Sequence, residues 1–162
     1  MTPAFFLPPG GICCRVEATV VSTILGSCVA VCLWDKQQGV GGMNHFLLPR
    51  CGGSPATTRY GDVAMARLLA AMERLGCQTQ NVRAKVFGGA AVLPYGAHAA
   101  TVGTQNVAVA LEVLQSRGIP VIARRTGGQC GLFLRFHTAI GRVMVRELTT
   151  VPPTDTRAAL VN

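Results

Sequence analysis

Alternating and β-branched apolar runs at about Glu17–Leu25, Val29–Trp34 and Gly41–Leu48 predict three strands early in the chain. Asp35-Lys36-Gln37-Gln38-Gly39, between the second and third, reads as a hairpin turn. A hairpin centred near Gln37 places position 28 opposite about position 46. After a polar, glycine-containing stretch from Arg50 to Gly61 the period changes. Val63, Leu68, Leu69, Met72 and Leu75 share one face of a helix predicted over Asp62–Leu75, with Asp62 favourable at its start and Gly76 suited to its end. Val82–Phe87 reads as a short strand running into Gly88-Gly89-Ala90. A second helix is predicted over Thr104–Arg117, with Val107, Leu111 and Leu114 on one stripe, ended by Gly118 and Pro120. A strand at Pro120–Arg125, a turn at Thr126-Gly127-Gly128 and a hairpin from Leu132–Thr138 and Gly141–Leu148 complete the pattern. Three strands, helix, strand, helix and three strands predict an α+β fold with helices on one side of the strands and more strand than one sheet needs. Residues 1–15 read as an N-terminal segment, 16–148 as one domain, and 149–162, with Pro152-Pro153, as a flexible tail.

Composition narrows the class. The 162 residues suffice for one domain with a real core, and 49% apolar against 14% charged residues excludes a disordered chain. No apolar stretch approaches the roughly 18 to 20 residues of a membrane helix. Met1 to Gly11, with Phe5, Phe6 and three prolines, lacks the charged start and long apolar centre of a signal peptide, so a cytoplasmic protein is expected. The seven cysteines are odd in number, include no Cys-x-x-Cys, and are expected to be reduced; the Cys13-Cys14 and Cys28/Cys32 spacings do not resemble a zinc site. No metal or cofactor is expected. The formal charge is +8, and thirteen of the fifteen basic residues are arginine, densest from Arg117 to Arg146. A solvated surface accounts for that surplus, and so does an acidic partner. Aromatics are sparse and no nucleic-acid motif is present, whereas an acidic helical protein surface would be well served.

The chemistry concentrates at Cys28, in Gly26-Ser27-Cys28-Val29, and His45, in Gly41-Gly42-Met43-Asn44-His45. Taken singly, these are what a buried cysteine and a core histidine look like. Together they offer a thiol and the imidazole that helps it ionise. Gly26 allows the thiol to be presented at a bend, and Gly41-Gly42 leaves room for substrate or neighbouring backbone. A triad needs a third group to orient the imidazole. No carboxylate is near in sequence, but Ser22 and Thr23 lie on the strand leading into Cys28. His98 and His137 read as a loop residue and a strand residue, and Gly88-Gly89 lacks the continuation of a phosphate loop.

Ser22-Thr23-Ile24-Leu25-Gly26-Ser27-Cys28-Val29-Ala30-Val31-Cys32-Leu33 and Gly42-Met43-Asn44-His45-Phe46-Leu47-Leu48-Pro49 resemble the two signature segments of the CheD family. The likeness continues in order through Tyr60, Lys85-Val86-Phe87-Gly88-Gly89-Ala90, Val102-Gly103-Thr104-Gln105-Asn106-Val107, Gly118-Ile119-Pro120-Val121, Thr126-Gly127-Gly128 and Gly141-Arg142-Val143. Arg124-Arg125 departs from it, standing where relatives are expected to carry an acidic residue.

The resemblance implies a glutamine deamidase of bacterial chemoreceptors with a Cys-His-Thr triad. It also implies a three-layer α/β/β sandwich, distantly similar to the catalytic domains of deamidating cytotoxic necrotizing factors. Cys28 then matches the nucleophile and His45 the base. Ser22 has the spacing of the third member and Thr23 its residue type, and both remain candidates. Gly26, Ser27, Gly88 and Gly89 are the implied substrate-binding wall. The implied chemistry converts glutamine to glutamate through a cysteine thioester, a route that also accommodates glutamyl methyl esters. Implied partners are chemoreceptor cytoplasmic helices and a CheC-type phosphatase, with no membrane insertion. The alternative is a scaffold that docks on the same partners with little catalysis.

Overall fold

The computed structural model describes residues 1–91 and 97–149, with backbone alone for 97–101. In chain order the elements are β1 (Ala4–Phe6), β2 (Ile12–Arg15), β3 (Val20–Leu25), β4 (Val29–Asp35), β5 (Val40–Asn44), α1 (Gly61–Arg74), β6 (Val82–Gly88), α2 (Ala97–Ser116), β7 (Val121–Thr126), β8 (Gly131–His137) and β9 (Arg142–Leu148). They build an α+β fold with two mixed sheets, ordered β1-β3-β8-β9 and β2-β5-β4-β6-β7.

Strand alternation divides the core in two. Val29, Val31 and Leu33 of β4 pack with Met65, Leu68 and Leu114 of the helices. Ala30 and Cys32, on the other face of β4, pack with Val21 and Leu25 of β3 and Leu134 and Phe136 of β8. The centre of the five-stranded sheet is therefore buried on both faces. This explains why β4 reads as a continuous apolar run rather than an alternating one. No helix among the described residues is long and apolar enough to cross a membrane.

Local chemistry sets the element ends. The α1 terminus is a Schellman motif: Gly76, at φ +87°, donates to Glu73 O, and Cys77 N donates to Met72 O at 3.1 Å. The β4–β5 turn is held by Asp35 Oδ1, which accepts the Gln37 and Gln38 N–H groups, and Gly39 takes φ +65°.

The structure departs from the sequence-based expectation in several places. Residues 1–15 are not a segment apart, because β1 pairs with β3 and β2 pairs with β5. Between β1 and β2, Pro8-Pro9-Gly10-Gly11 forms a turn closed by Gly11 N to Pro8 O, with Gly10 at φ +81°. Helix α2 begins at Ala97, well before Thr104, and carries Gly103 in its interior. A side chain at Gly103 would run into the Gly89 carbonyl, so this glycine marks close packing rather than a helix boundary. His98 consequently lies in a helix and not a loop; its side chain, like residues 150–162 of the expected tail, lies outside the described residues.

Candidate active site

Cys28 immediately precedes β4 and is partly buried against the core between the sheets. The turn that carries it is anchored through its carbonyls. Ala90 N donates to Gly26 O at 2.9 Å, Asn106 Nδ2 to Ser27 O at 3.0 Å, and Gly89 N to Cys28 O at 2.8 Å. Gly88 and Gly89 hold φ +107° and +70°, and a methyl on Gly88 would run into the Cys28 carbonyl oxygen. Gly26, by contrast, is not among the residues at positive φ. The permissive backbone lies in the glycines packed against the thiol's turn rather than in the glycine preceding it.

His45 follows β5 and is 1% exposed. Cys32 faces Met43 and Val29 faces Phe46, so paired positions sum to 75 and His45 lies opposite Ala30. The expected pairing of 28 with 46 was off by one, and 28 instead faces 47. The difference is decisive, because a one-residue slip turns every side chain to the other face. In the observed register His45 shares the inter-sheet face with Ala30, and Cys28 is its diagonal neighbour on that face. At Asn44 the ladder is interrupted, since Asn44 Oδ1 takes the Val31 N–H at 2.9 Å. The His45 backbone turns instead to the N-terminal segment, accepting from Gly10 N at 2.7 Å and donating to Gly11 O at 3.1 Å.

The third group comes from the opposite sheet. Thr23 is fully buried, with Val21 and Leu25 on the inner side of β3, and its Oγ1 is 2.8 Å from His45 Nδ1. The same hydroxyl is 2.8 Å from the Leu7 carbonyl oxygen, to which it donates. A hydroxyl has one proton, and a carbonyl can only accept. Thr23 Oγ1 must therefore accept from His45 Nδ1–H, and the neutral ring carries its lone pair on Nε2. Nε2 is buried and has no hydrogen-bond partner among the described residues. The Cys28 thiol is thus not hydrogen-bonded to it in this state; contacts of this kind commonly tighten only when substrate binds.

Electrostatics disfavour charge on either partner. Burial pushes the His45 pKa down to about 4, with the Leu7 carbonyl opposing weakly. Burial likewise pushes the Cys28 thiol up, partly offset by its own backbone N–H, which bonds the sulfur. The resting pair at neutral pH is a thiol beside a neutral imidazole.

Of the residues expected at the site, the fold brings together Cys28, His45, Thr23, Gly26, Ser27, Gly88 and Gly89. It does not bring Ser22 to His45. Ser22 lies on the outer side of β3, and its Oγ is 3.4 Å from the Phe5 carbonyl oxygen. Gly41 and Gly42 leave no space for substrate: a side chain on either would meet Thr138 or Leu68. His137 lies on β8, paired with Val20 and Arg142 and away from the thiol. Two contributors were missed. The Leu7 carbonyl sits in a segment that no periodicity tied to the core. Asn106 lay within a quoted family segment but was not read as a site residue. It is fully buried, and its Nδ2 reaches Leu47 O at 2.9 Å as well as Ser27 O, linking the turn of Cys28 to the segment that follows His45. Among the described residues, no group of three or more His, Cys, Asp or Glu side chains is placed to hold a metal.

The model of the family described as CheD chemotactic sensory transduction matches residues 47–147. A protein of Rhodospirillum rubrum, named probable chemoreceptor glutamine deamidase CheD, is 54% identical over 94% of this chain and 87% of its own length. The chain belongs to the CheD family. A Trichlorobacter lovleyi member with the same name is 42% identical over 87% of this chain and 88% of its own. Among solved structures, a Neisseria meningitidis protein of family DUF152 is similar with TM-score 0.46 and 12% identity, over 78% of this chain and 63% of that one. The CheD family model begins after Cys28 and His45, while the similarity to the Rhodospirillum protein spans 153 residues.

Proposed function

We propose that this chain is a chemoreceptor glutamine deamidase, hydrolysing glutamine side chains to glutamate with Cys28 as nucleophile, His45 as acid and base, and Thr23 as the positioning residue for His45. The observation that carries the reading is the buried Thr23–His45 hydrogen bond, which fixes the imidazole with its lone pair on Nε2, on the same sheet face as Cys28. The names of the relatives supply the substrate class. The layered arrangement implied by the likeness to cytotoxic necrotizing factors belongs to the same reading.

Because both groups rest uncharged, the thiol proton moves to Nε2 as sulfur attacks the carboxamide carbon. The imidazolium is transiently favourable because its Nδ1–H already donates to Thr23. The Cys28 N–H, which bonds the reacting sulfur, supplies a donor for the tetrahedral oxyanion. The Nε2 proton passes to the departing nitrogen, ammonia leaves, and a thioester remains. Water, losing a proton to Nε2, adds to the thioester; sulfur leaves, regains a proton and frees the glutamate. A glutamyl methyl ester would follow the same path with methanol as leaving group. Ammonia release from a receptor cytoplasmic fragment tests the reading: wild type should release it and Cys28→Ala should not.

A further inference from the structure

The four-stranded sheet has one face in the core and one open to solvent. Residues directly opposite in neighbouring strands share a face. Phe6, Ser22, Arg135 and Met144 thus form one outward row, and Ile24, Phe133 and Arg146 the next. An open antiparallel face is ordinarily polar. Here Phe6, Ile24 and Met144 are each about half exposed, and Arg146 stacks over the Phe133 ring at 5.4 Å. A shallow cavity of about 300 Å³ opens among Phe133, Arg135, Met144 and Arg146. Neither row contains an acidic residue. The ion pairs among the described residues engage Arg50, Arg117 and Arg125, leaving Arg135 and Arg146 without a carboxylate.

We propose that this outward face docks an acidic, amphipathic helix of the protein substrate, at a place separate from the target glutamine. The proposal rests on the deamidase reading for the identity of the substrate. Charge selects the occupant. Phe6 and Ile24 on β1 and β3 are apolar, and on β8 and β9 Phe133 and Met144 interleave with Arg135 and Arg146, which matches a helix whose apolar stripe is bordered by carboxylates. A second copy of the chain would set arginine against arginine. A flat pleated face has no protruding apolar ridge to enter a bilayer, whereas a helix about 10 Å across can lie along it. Ile24 is four residues before Cys28, so the face begins within about 13 Å of the thiol, close enough for one helical body to span both.

The test compares wild type, Arg135→Glu/Arg146→Glu and Arg135→Gln/Arg146→Gln. Binding to a receptor cytoplasmic fragment is measured by fluorescence anisotropy at low and physiological salt. Ammonia release is measured from the fragment and from a short glutamine peptide. The Glu pair should raise Kd and KM for the fragment by about tenfold or more, and the Gln pair by less. Turnover and peptide hydrolysis should be unchanged, and salt should weaken wild type more than the Glu pair. Equal Kd and KM in all three proteins, or no fragment binding by wild type, overturns the docking site. So does binding to phosphatidylglycerol vesicles that is lost in the Glu pair while fragment binding is retained. Arginine-dependent fragment binding without ammonia from either substrate would leave the docking site standing and reject the deamidase reading instead.

Discussion

Thr23 Oγ1 lies 2.8 Å from His45 Nδ1 across the gap between the two sheets, and its own proton is committed to the Leu7 carbonyl. The hydroxyl is thereby an acceptor toward the ring, and the ring becomes a base at Nε2. Thr23→Val keeps the shape and removes the acceptor. Its kcat should fall by about one to two orders of magnitude with KM little changed, while Thr23→Ser should retain most activity. Ser22→Ala, on the outer face, should stay within about twofold of wild type. Steady-state ammonia release distinguishes these outcomes.

The alternation of β3 already separates Thr23 from Ser22. Val21, Thr23 and Leu25 fall on one parity and Ser22 and Ile24 on the other. The apolar Ile24 on the outer face blurred that signal. Most elements from Val20 onward were visible because their periodicity lasts several residues. β1 and β2 were not, being three and four residues long and separated by a proline-glycine turn. Their loss hid Leu7, because nothing in the sequence says which carbonyl a buried hydroxyl will meet. Nor could the hairpin loop be counted to the residue, and that count decides which face carries His45. Asn106 was hidden for another reason. A polar residue beside a helix stripe normally faces water, and only the tertiary structure shows it buried against the Ser27 and Leu47 carbonyls.

A thiol held in its neutral form should alkylate slowly at neutral pH. The rate of iodoacetamide modification at Cys28 should keep rising beyond the ordinary thiol range, because burial raises its pKa. Measurement needs peptide-resolved mass spectrometry, since seven thiols compete. A fast, pH-independent rate from about pH 5 upward would indicate a preformed thiolate–imidazolium pair and contradict the uncharged resting state.

His45 also links stability to pH. Its pKa falls from 6.5 to about 4 on folding, so between those values the unfolded chain binds more protons than the folded one. The contribution is fully present above pH 6.5 and is lost as pH falls through about 4. It amounts to about 3 kcal/mol. Denaturant titrations across that window should show wild type losing stability by this much more than His45→Asn.

Asn106 joins the turn of Cys28 to the segment after His45 through carbonyls at Ser27 and Leu47. Asn106→Ala should cost about 1–3 kcal/mol, since two part-buried carbonyl acceptors lose the donor they share. At a temperature where the variant is fully folded, kcat should still fall. Loss of stability with full kcat in the folded fraction would make Asn106 purely structural.

The mass of a receptor cytoplasmic fragment, followed peptide by peptide during incubation with the enzyme, tests the thiol-dependent conversion of glutamine most directly. The account predicts a gain of about one dalton at discrete glutamines with wild type and none with Cys28→Ala, as amide is replaced by acid through the thioester. An unchanged mass with wild type, or the same gain with Cys28→Ala, would contradict it.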